Sequence, residues 1–179
     1  MAPDIRILTE DDVLAYRAVR LAVLQSDSLA FVTTAAEFAA RTPQSVAEQL
    51  APREDSVTFG AFVGGELTGI LTVARETRSR IRHRANVFGV GVLEGARGLG
   101  CGDALMAAGV AHARQLEGVT SLHLGVTETQ HAARRLYERH GFRIWGTQPD
   151  ALRHGERSLA EHWMWLPLGG NEEPHTVVP

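Results

Sequence analysis

Cysteine is nearly absent from this chain. Cys101 is the only one among 179 residues, so no disulfide can form within the chain. A lone thiol also argues against cysteine-rich zinc sites, and the eight histidines are scattered without an H-x-x-x-H pair. We therefore expect no metal site and a reducing, cytoplasmic compartment.

Long apolar runs are lacking as well. No stretch is long enough to span a bilayer, and no apolar segment follows a basic one at the start, as it would in a signal peptide. The formal net charge is only −3, so overall charge does not favour nucleic acid as a partner. The most basic segment is interpreted as a solvated loop, with an anionic acceptor or a partner protein as the alternative. It contains Arg75, Arg78, Arg80, Arg82 and Arg84.

Hydrophobic periodicity and turn residues predict one α/β or α+β domain over residues 1–168, with helices interspersed in a mixed sheet. Helices are predicted from Thr9 to about Asp27 and at 42–50, 103–117 and 131–140. Strands are predicted at 4–8, 57–63, 67–74, 86–93, 122–126, 142–147 and 159–166. Residues 169–179 hold glycine, proline and acidic residues with little to bury, which predicts a disordered tail.

The most informative segment is a glycine-rich turn, RGLGCG at 97–102, between a predicted strand and a predicted helix. Gly98, Gly100 and Gly102 lack Cβ atoms, so the main chain can point several N–H groups at an anion. The following helix adds its unpaired N-terminal N–H groups, and Arg97 could add a charge-assisted contact. The segment therefore predicts a site for phosphate or diphosphate.

Three phosphate-binding patterns compete for this turn. A Walker loop requires Lys and then Ser or Thr after its last glycine, but Cys101 follows Gly100. A dinucleotide fingerprint requires a third glycine where the chain has Asp103, and it is expected early in a parallel fold. The third pattern, (Q/R)-x-x-G-x-(G/A), is matched by Arg97, Gly100 and Gly102.

This third pattern resembles the GNAT superfamily of N-acetyltransferases, and a second motif supports the resemblance. The chain has L-x-L-x-V at 122–126 and A-x-x-L-Y-E-x-x-G-F at 133–142, similar to the family's L-x-V…N-x-x-A-x-x-L-Y-E-x-x-G-F. The similarity covers roughly residues 4–168. It implies a mixed, mostly antiparallel seven-stranded sheet flanked by about four helices. The strands at 86–93 and 121–126 would be parallel neighbours that splay apart.

The resemblance implies acetyl-CoA as cosubstrate. The pantetheine arm would enter the splay like an added strand, and the diphosphate would rest on the glycine turn. Gln130 stands where the family has asparagine, so this contact is expected to shift. Cys101 would fill space beneath the turn. The coenzyme would contact Val90, Gly91, Val92, Arg97, Gly98, Leu99, Gly100, Cys101, Gly102, Gln130, Ala133 and Tyr137.

Chemical roles also follow from the resemblance. Tyr137 would be the general acid toward the coenzyme sulfur, although its helical spacing also suits a core tyrosine. A main-chain N–H near Val92 would stabilise the oxyanion. The family's usual glutamate base falls at Asn86, which cannot accept a proton, so His123 is the candidate base. The remaining candidates are His83, Glu128 and ordered water.

We expect an N-acetyltransferase that acts by direct attack in a ternary complex on a small-molecule amine, a peptide N-terminus or a lysine. A non-catalytic acyl-CoA-binding sensor of the same fold is the alternative, which Asn86 favours and Tyr137 disfavours. A different nucleotide-binding protein is disfavoured by the two failed patterns. The acceptor pocket is expected from the first two helices and residues 149–158. The resemblance is also compatible with a homodimer.

Overall fold

The structure, a computed structural model, describes residues 2–169, and its centre is a mixed β-sheet. Within these residues the strands are β1 (Asp4–Ile7), β2 (Ser56–Val63), β3 (Glu66–Arg75), β4 (Arg84–Val92), β5 (Ser121–Thr127), β6 (Arg143–His154) and β7 (Arg157–Pro167). They form one seven-stranded sheet in the order β1-β2-β3-β4-β5-β7-β6. All neighbours are antiparallel except β4 and β5, which are parallel. This confirms the predicted fold class. Apart from its first residue, the predicted disordered tail lies outside the described residues.

Five α-helices occur in the described part of the chain, one more than predicted. They are α1 (Val13–Ser26), α2 (Ala35–Ala39), α3 (Pro43–Leu50), α4 (Cys101–Gln115) and α5 (His131–Arg139). The unpredicted one, α2, is too short for a hydrophobic period and buries a single large side chain, Phe38. Its sequence signal is the capping box of Thr34 and Glu37, in which the Thr34 hydroxyl accepts a hydrogen bond from the Glu37 N–H at 3.2 Å.

The final hairpin is longer than predicted. Strand pairing extends through residues expected to be a connection, because a bulge between Gln148 and Leu152 absorbs the irregular stretch. Asp150 stabilises it, since its carboxylate accepts hydrogen bonds at 2.6 Å from both Arg153 Nη2 and Ser158 Oγ. Residues 149–158 therefore belong mainly to the strands of a β-hairpin.

Helices cover both faces of the sheet, and an apolar cluster is buried between the helices and the sheet on each face. The larger cluster lies beneath α4 and includes the side chains of Leu71, Leu105, Met106, Leu122 and Met164. Cys101 belongs to it, with its Sγ 3.7 Å from Thr68 Oγ1, as expected of a side chain beneath the glycine turn. The smaller cluster joins α1, α2 and α3 to the first strands and includes Val19, Val23, Phe38, Val46 and Ile70.

The basic stretch connects β3 to β4, as expected of a solvated loop. Arg78, Arg80 and Arg82 are exposed there, and a short 3₁₀ helix (Ser79–Ile81) lies between them. Within residues 2–169, no helix is long and apolar enough to cross a membrane.

Candidate active site

The central feature of the site is a gap between β4 and β5. The two strands pair at three positions only, the last of which places Asn86 opposite His123. Beyond that pair each strand continues without its neighbour, β4 as far as Val92 and β5 as far as Thr127. The sheet therefore has two open edges facing each other, where main-chain groups can pair with a ligand.

A bulge in β4 lies at the start of this gap. The register between β3 and β4 shifts between Ile70 and Thr72, where β4 holds one residue more than its neighbour. Gly89, within the bulge, has a φ of +60°, in the left-handed region that favours glycine. The bulge leaves main-chain groups of β4 without a partner on β3 at the point where the gap opens.

The glycine turn lies at the other end of the gap and leads into α4. Gly98 and Gly100 have φ values of +79° and +82°, and a Cβ at either position would meet no atom within 4 Å. Among the described residues, no main-chain carbonyl accepts from the N–H groups of Gly98, Gly100, Cys101, Gly102 or Asp103. An open turn with free N–H groups at a helix N-terminus fits a diphosphate.

A cleft of ≈ 820 Å³ joins the gap to the glycine turn. It is lined by the main chain of β4 and β5, by the turn and by one face of α5. Of the residues predicted to contact the coenzyme, only Leu99 does not line it. The others are Val90, Gly91, Val92, Arg97, Gly98, Gly100, Cys101, Gly102, Gln130, Ala133 and Tyr137. Sequence reasoning thus selected side chains that the fold brings together.

Tyr137 lies on α5 at the wall of this cleft. Its ring packs edge-on against Phe142, with ring centroids 6.2 Å apart, and the side chain is buried. Burial raises the pKa of the Tyr137 hydroxyl far above its ordinary value. The hydroxyl therefore keeps its proton at neutral pH, which is the state that a proton donor needs.

His123 occupies the last position at which β5 pairs with β4, outside the set of residues that line the cleft. Its Nε2 lies 3.0 Å from Ser121 Oγ. Burial lowers the pKa of the His123 ring to about 4, with smaller contributions from the charges of Arg84 and His83. The ring is therefore neutral at pH 7, but it is a weak base.

The other candidate bases are engaged or distant. The Glu128 carboxylate accepts a hydrogen bond from the Ala160 N–H at 2.9 Å, and His83 is an exposed residue just before β4. Neither residue lines the cleft. Asn86 lines it and donates from Nδ2 to Glu76 Oε1 at 2.8 Å. Asn86 is thus held by the carboxylate of Glu76, the residue that follows β3.

Glu161 is a cleft residue that sequence reasoning missed as a functional side chain. It lies on β7 opposite Thr127, and its Oε1 is 2.6 Å from where a Cβ on Gly125 would be. The absence of a Cβ on Gly125 therefore makes room for this carboxylate. Burial raises the Glu161 pKa above its ordinary value, which makes it a stronger base than an exposed glutamate.

Two further residues that sequence reasoning missed lie along α1 and its end. Asp27 pairs with Arg97, with its Oδ2 2.6 Å from Nη2, so the arginine predicted to contact the diphosphate is held by an acid on another element. Arg20 lines the cleft beside Gly89. The α1 helix and the segment after it thus border the cleft, whereas α3 and residues 149–158 do not.

The family model for the acetyltransferase (GNAT) family matches residues 24–142, about two thirds of the chain. The chain belongs to this family. The family and the enzyme class predicted from the sequence, an acetyltransferase, are confirmed. No curated protein sequence matches the chain.

Solved structures share the fold at low sequence identity. A GNAT-family acetyltransferase from Streptococcus pneumoniae has a TM-score of 0.77 at 24% identity, over 93% of this chain and 99% of its own. The yncA protein from Salmonella typhimurium, solved with its cofactor acetyl-CoA, has a TM-score of 0.80 at 19% identity, over 98% and 99%. The ribosomal-protein-alanine N-acetyltransferase from Brucella melitensis has a TM-score of 0.75 at 23% identity, over 92% and 99%. At these identities the likeness establishes the fold alone.

Proposed function

We propose that this acetyltransferase binds acetyl-CoA in the cleft and transfers its acetyl group to a primary amine by direct attack in a ternary complex. The observation that carries the proposal is the continuity of the glycine turn with the gap between β4 and β5. A diphosphate on the free N–H groups of the turn leaves a peptide-like arm next to an open strand edge. The solved relative with acetyl-CoA supports this choice of cosubstrate.

The residues of the cleft supply what acetyl transfer needs. Acetyl-CoA contributes a thioester whose carbonyl a neutral amine can attack. Main-chain N–H groups near Val92 are the proposed donors to the carbonyl oxygen as negative charge develops on it. Tyr137 keeps its proton and is the proposed donor to the departing sulfur.

Two side chains compete for the role of the base that takes a proton from the amine. Glu161 is supported by its place in the cleft and by its raised pKa. His123, the base predicted from the sequence, is the alternative, but its lowered pKa makes it a weak one. We therefore propose Glu161 as the base.

Ligand binding and thiol release test the proposed function in turn. We expect acetyl-CoA and CoA to raise the melting temperature, with no shift from ATP or NAD. We then expect free thiol to appear when a panel of primary amines is added to the acetyl-CoA complex. Binding without thiol release from any amine would favour the sensor alternative, and stabilisation by ATP alone would refute the assignment of the cleft.

A tyrosine pair tests the proposed acid. Tyr137→Phe keeps the buried ring but removes the proton, so kcat is expected to fall by about 100-fold or more while the Kd for acetyl-CoA stays the same. Tyr16→Phe is the matched control, because Tyr16 is also buried with a raised pKa but lies outside the cleft. Unchanged turnover in Tyr137→Phe would eliminate this residue as the acid.

A further inference from the structure

Arg20 is a partly buried arginine of α1 that forms no ion pair within residues 2–169. Its Nη1 is shielded from solvent, and no acceptor among the described residues lies within hydrogen-bond distance of that atom. Burial lowers the Arg20 pKa, and the only charge effect that raises it comes from Tyr16. A desolvated guanidinium with no anion beside it is an unfavourable arrangement that folding alone does not explain.

The position of the Arg20 guanidinium is nevertheless well defined. Its Cζ lies over the ring of Phe31, 4.5 Å from the centroid. On the other side, the guanidinium packs against the β4 bulge, because Nη1 lies 3.6 Å from where a Cβ on Gly89 would be, which is van der Waals contact distance. The segment that carries Phe31 is tied to the sheet, because Thr127 Oγ1 donates to the Leu29 carbonyl at 2.9 Å.

Nearby arginines show what a structurally satisfied guanidinium looks like in this protein. Arg17, one turn earlier on the same helix, donates from Nη1 to the Arg41 carbonyl at 2.7 Å. Arg97 donates to Asp27 at 2.6 Å. The Arg20 guanidinium instead contacts a ring and a bulge, and its residue lines the cleft.

The anion that suits Arg20 is not the diphosphate of the coenzyme. The glycine turn is fixed to the end of α1 through Asp27, and α1 rises by about 10 Å between Arg20 and Asp27. The helix follows β4, with Val23 packed against Gly91 and Arg20 against Gly89. Arg20 therefore lies at the end of the gap remote from the turn, which the acyl end of the bound coenzyme would approach.

We propose that Arg20 binds a carboxylate of the acceptor, so that the preferred acceptors are small amines that carry a carboxylate, of which free amino acids are the simplest. The proposal rests on the proposed function, because it names the acceptor class of the same cleft. A guanidinium can hold a carboxylate by two parallel hydrogen bonds, which would orient the molecule as well as bind it. Glu161, the proposed base in the same cleft, would then face the amine.

Thiol release with paired substrates tests this assignment. Each free amino acid is compared with its carboxamide, which keeps the amine and the side chain but removes the negative charge. We expect the wild-type enzyme to prefer the acids in kcat/KM. In Arg20→Met this preference is expected to fall by about 10- to 100-fold, mainly through KM, while the Kd for acetyl-CoA stays the same. Arg20→Lys is expected to retain part of the preference.

The matched control is Arg17→Met on the same helix. It removes a guanidinium that is satisfied within the fold, so it is expected to lower the melting temperature and leave the preference for acids unchanged. Arg20→Met removes an unpartnered charge, so the ligand-free variant is expected to melt at the wild-type temperature or above it.

The outcomes separate this inference from the proposed function. Equal turnover of acids and carboxamides by the wild type would overturn the assignment of Arg20 and leave the acetyltransferase proposal intact. Loss of acetyl-CoA affinity in Arg20→Met would also overturn it, because Arg20 would then hold the coenzyme. Thiol release with another amine of the panel but with no acid or carboxamide would overturn the assignment of Arg20 alone, whereas no release with any amine would overturn both.

Discussion

Burial raises the pKa of Glu161 and lowers the pKa of His123. The kinetics of variants at these two positions can show which side chain serves as the base. Glu161→Gln keeps the shape but cannot accept a proton, so we expect kcat to fall by about 100-fold or more. In the wild type, kcat/KM should rise with pH as Glu161 loses its proton, and that limb should be missing from the variant. pH–rate profiles of both enzymes check this.

Two variants complete the comparison. Glu156→Gln removes an exposed carboxylate from the turn of the same hairpin and is expected to behave as the wild type does. His123→Gln is expected to keep most of the activity. If His123→Gln were inactive while Glu161→Gln kept its turnover, the base predicted from the sequence would be the correct one.

His123 also makes the stability of the fold depend on pH. In the folded protein its ring binds a proton only below about pH 4, whereas in the unfolded chain it does so below its ordinary pKa of 6.5. Between these values the unfolded state binds more protons, so the free energy of unfolding falls as the pH falls. We expect His123 to account for a loss of about 1–2 kcal/mol, because solvent screening reduces the full effect at a partly exposed ring. Urea unfolding from pH 7 to pH 4 should show a shallower decline in His123→Gln, and an equal decline would contradict this account.

Local motifs explain which site residues the sequence could predict. Tyr137 belongs to the motif at 133–142 and the glycine turn to the motif at 97–102. The residues of each motif are close in sequence, so their spacing identifies them. For Glu161 and Arg20, the sequence predicted no role at the site. Glu161 reaches the cleft because Gly125 on the adjacent strand has no side chain, and Arg20 lines it because α1 packs along β4 beside the bulge at Gly89. Strand register and bulges are tertiary features that no local pattern specifies.

At the scale of elements, prediction succeeded where a segment was long enough to show a hydrophobic period. The predicted strand at 67–74 and the helix at 103–117 differ from β3 and α4 by two residues or fewer at each end. The short α2 was missed because its single buried aromatic residue gives no period. The part of β6 beyond residue 147 was missed. Because β6 is an edge strand that is exposed along much of its length, its sequence shows little alternation of apolar and polar residues.

The packing of α1 on β4 is the contact between elements that sets the position of Arg20. A Cβ on Gly91 would lie 2.4 Å from Val23 Cγ1, so the helix approaches the strand too closely for any larger residue. We expect Gly91→Ala to lower the free energy of unfolding by about 1–3 kcal/mol, because α1 must move away from β4. Urea unfolding measures this, and the same displacement should raise KM for the acceptor.

A second substitution distinguishes this clash from a general effect of alanine. Val23→Ala removes the methyl groups in conflict, so the double variant should be more stable than the sum of the two single changes implies. Gly95→Ala is the matched control, because a Cβ there would meet open space. Strictly additive losses in the double variant would show that Gly91 and Val23 do not clash.

On the scale of the whole molecule, the sheet consists of two parts joined along a short seam. Strands β1 to β4 form one part and β5, β7 and β6 the other, and the seam is the three paired positions between β4 and β5. The larger apolar cluster contains residues of both parts, such as Leu71 on β3 and Met164 on β7. The parallel, splayed pair was expected from the family resemblance alone, because alternation along each strand does not say which strands become neighbours. The predicted homodimer stays a prediction.

Acetyl-CoA bound as proposed would fill the gap that this seam leaves open, and amide hydrogen exchange can show it. The ligand should slow exchange in residues 88–92, 98–103 and 124–127, by up to about 100-fold at 100 times its Kd, because these groups would lose access to water. Exchange measured over seconds to minutes reports local opening, so peptides from β1 and β2, remote from the cleft, should change little. ATP at the same concentration is the control ligand and should leave all these peptides unchanged. Protection confined to the hairpin of β6 and β7, or none at 88–92, would mean that the coenzyme does not lie between the diverging strands.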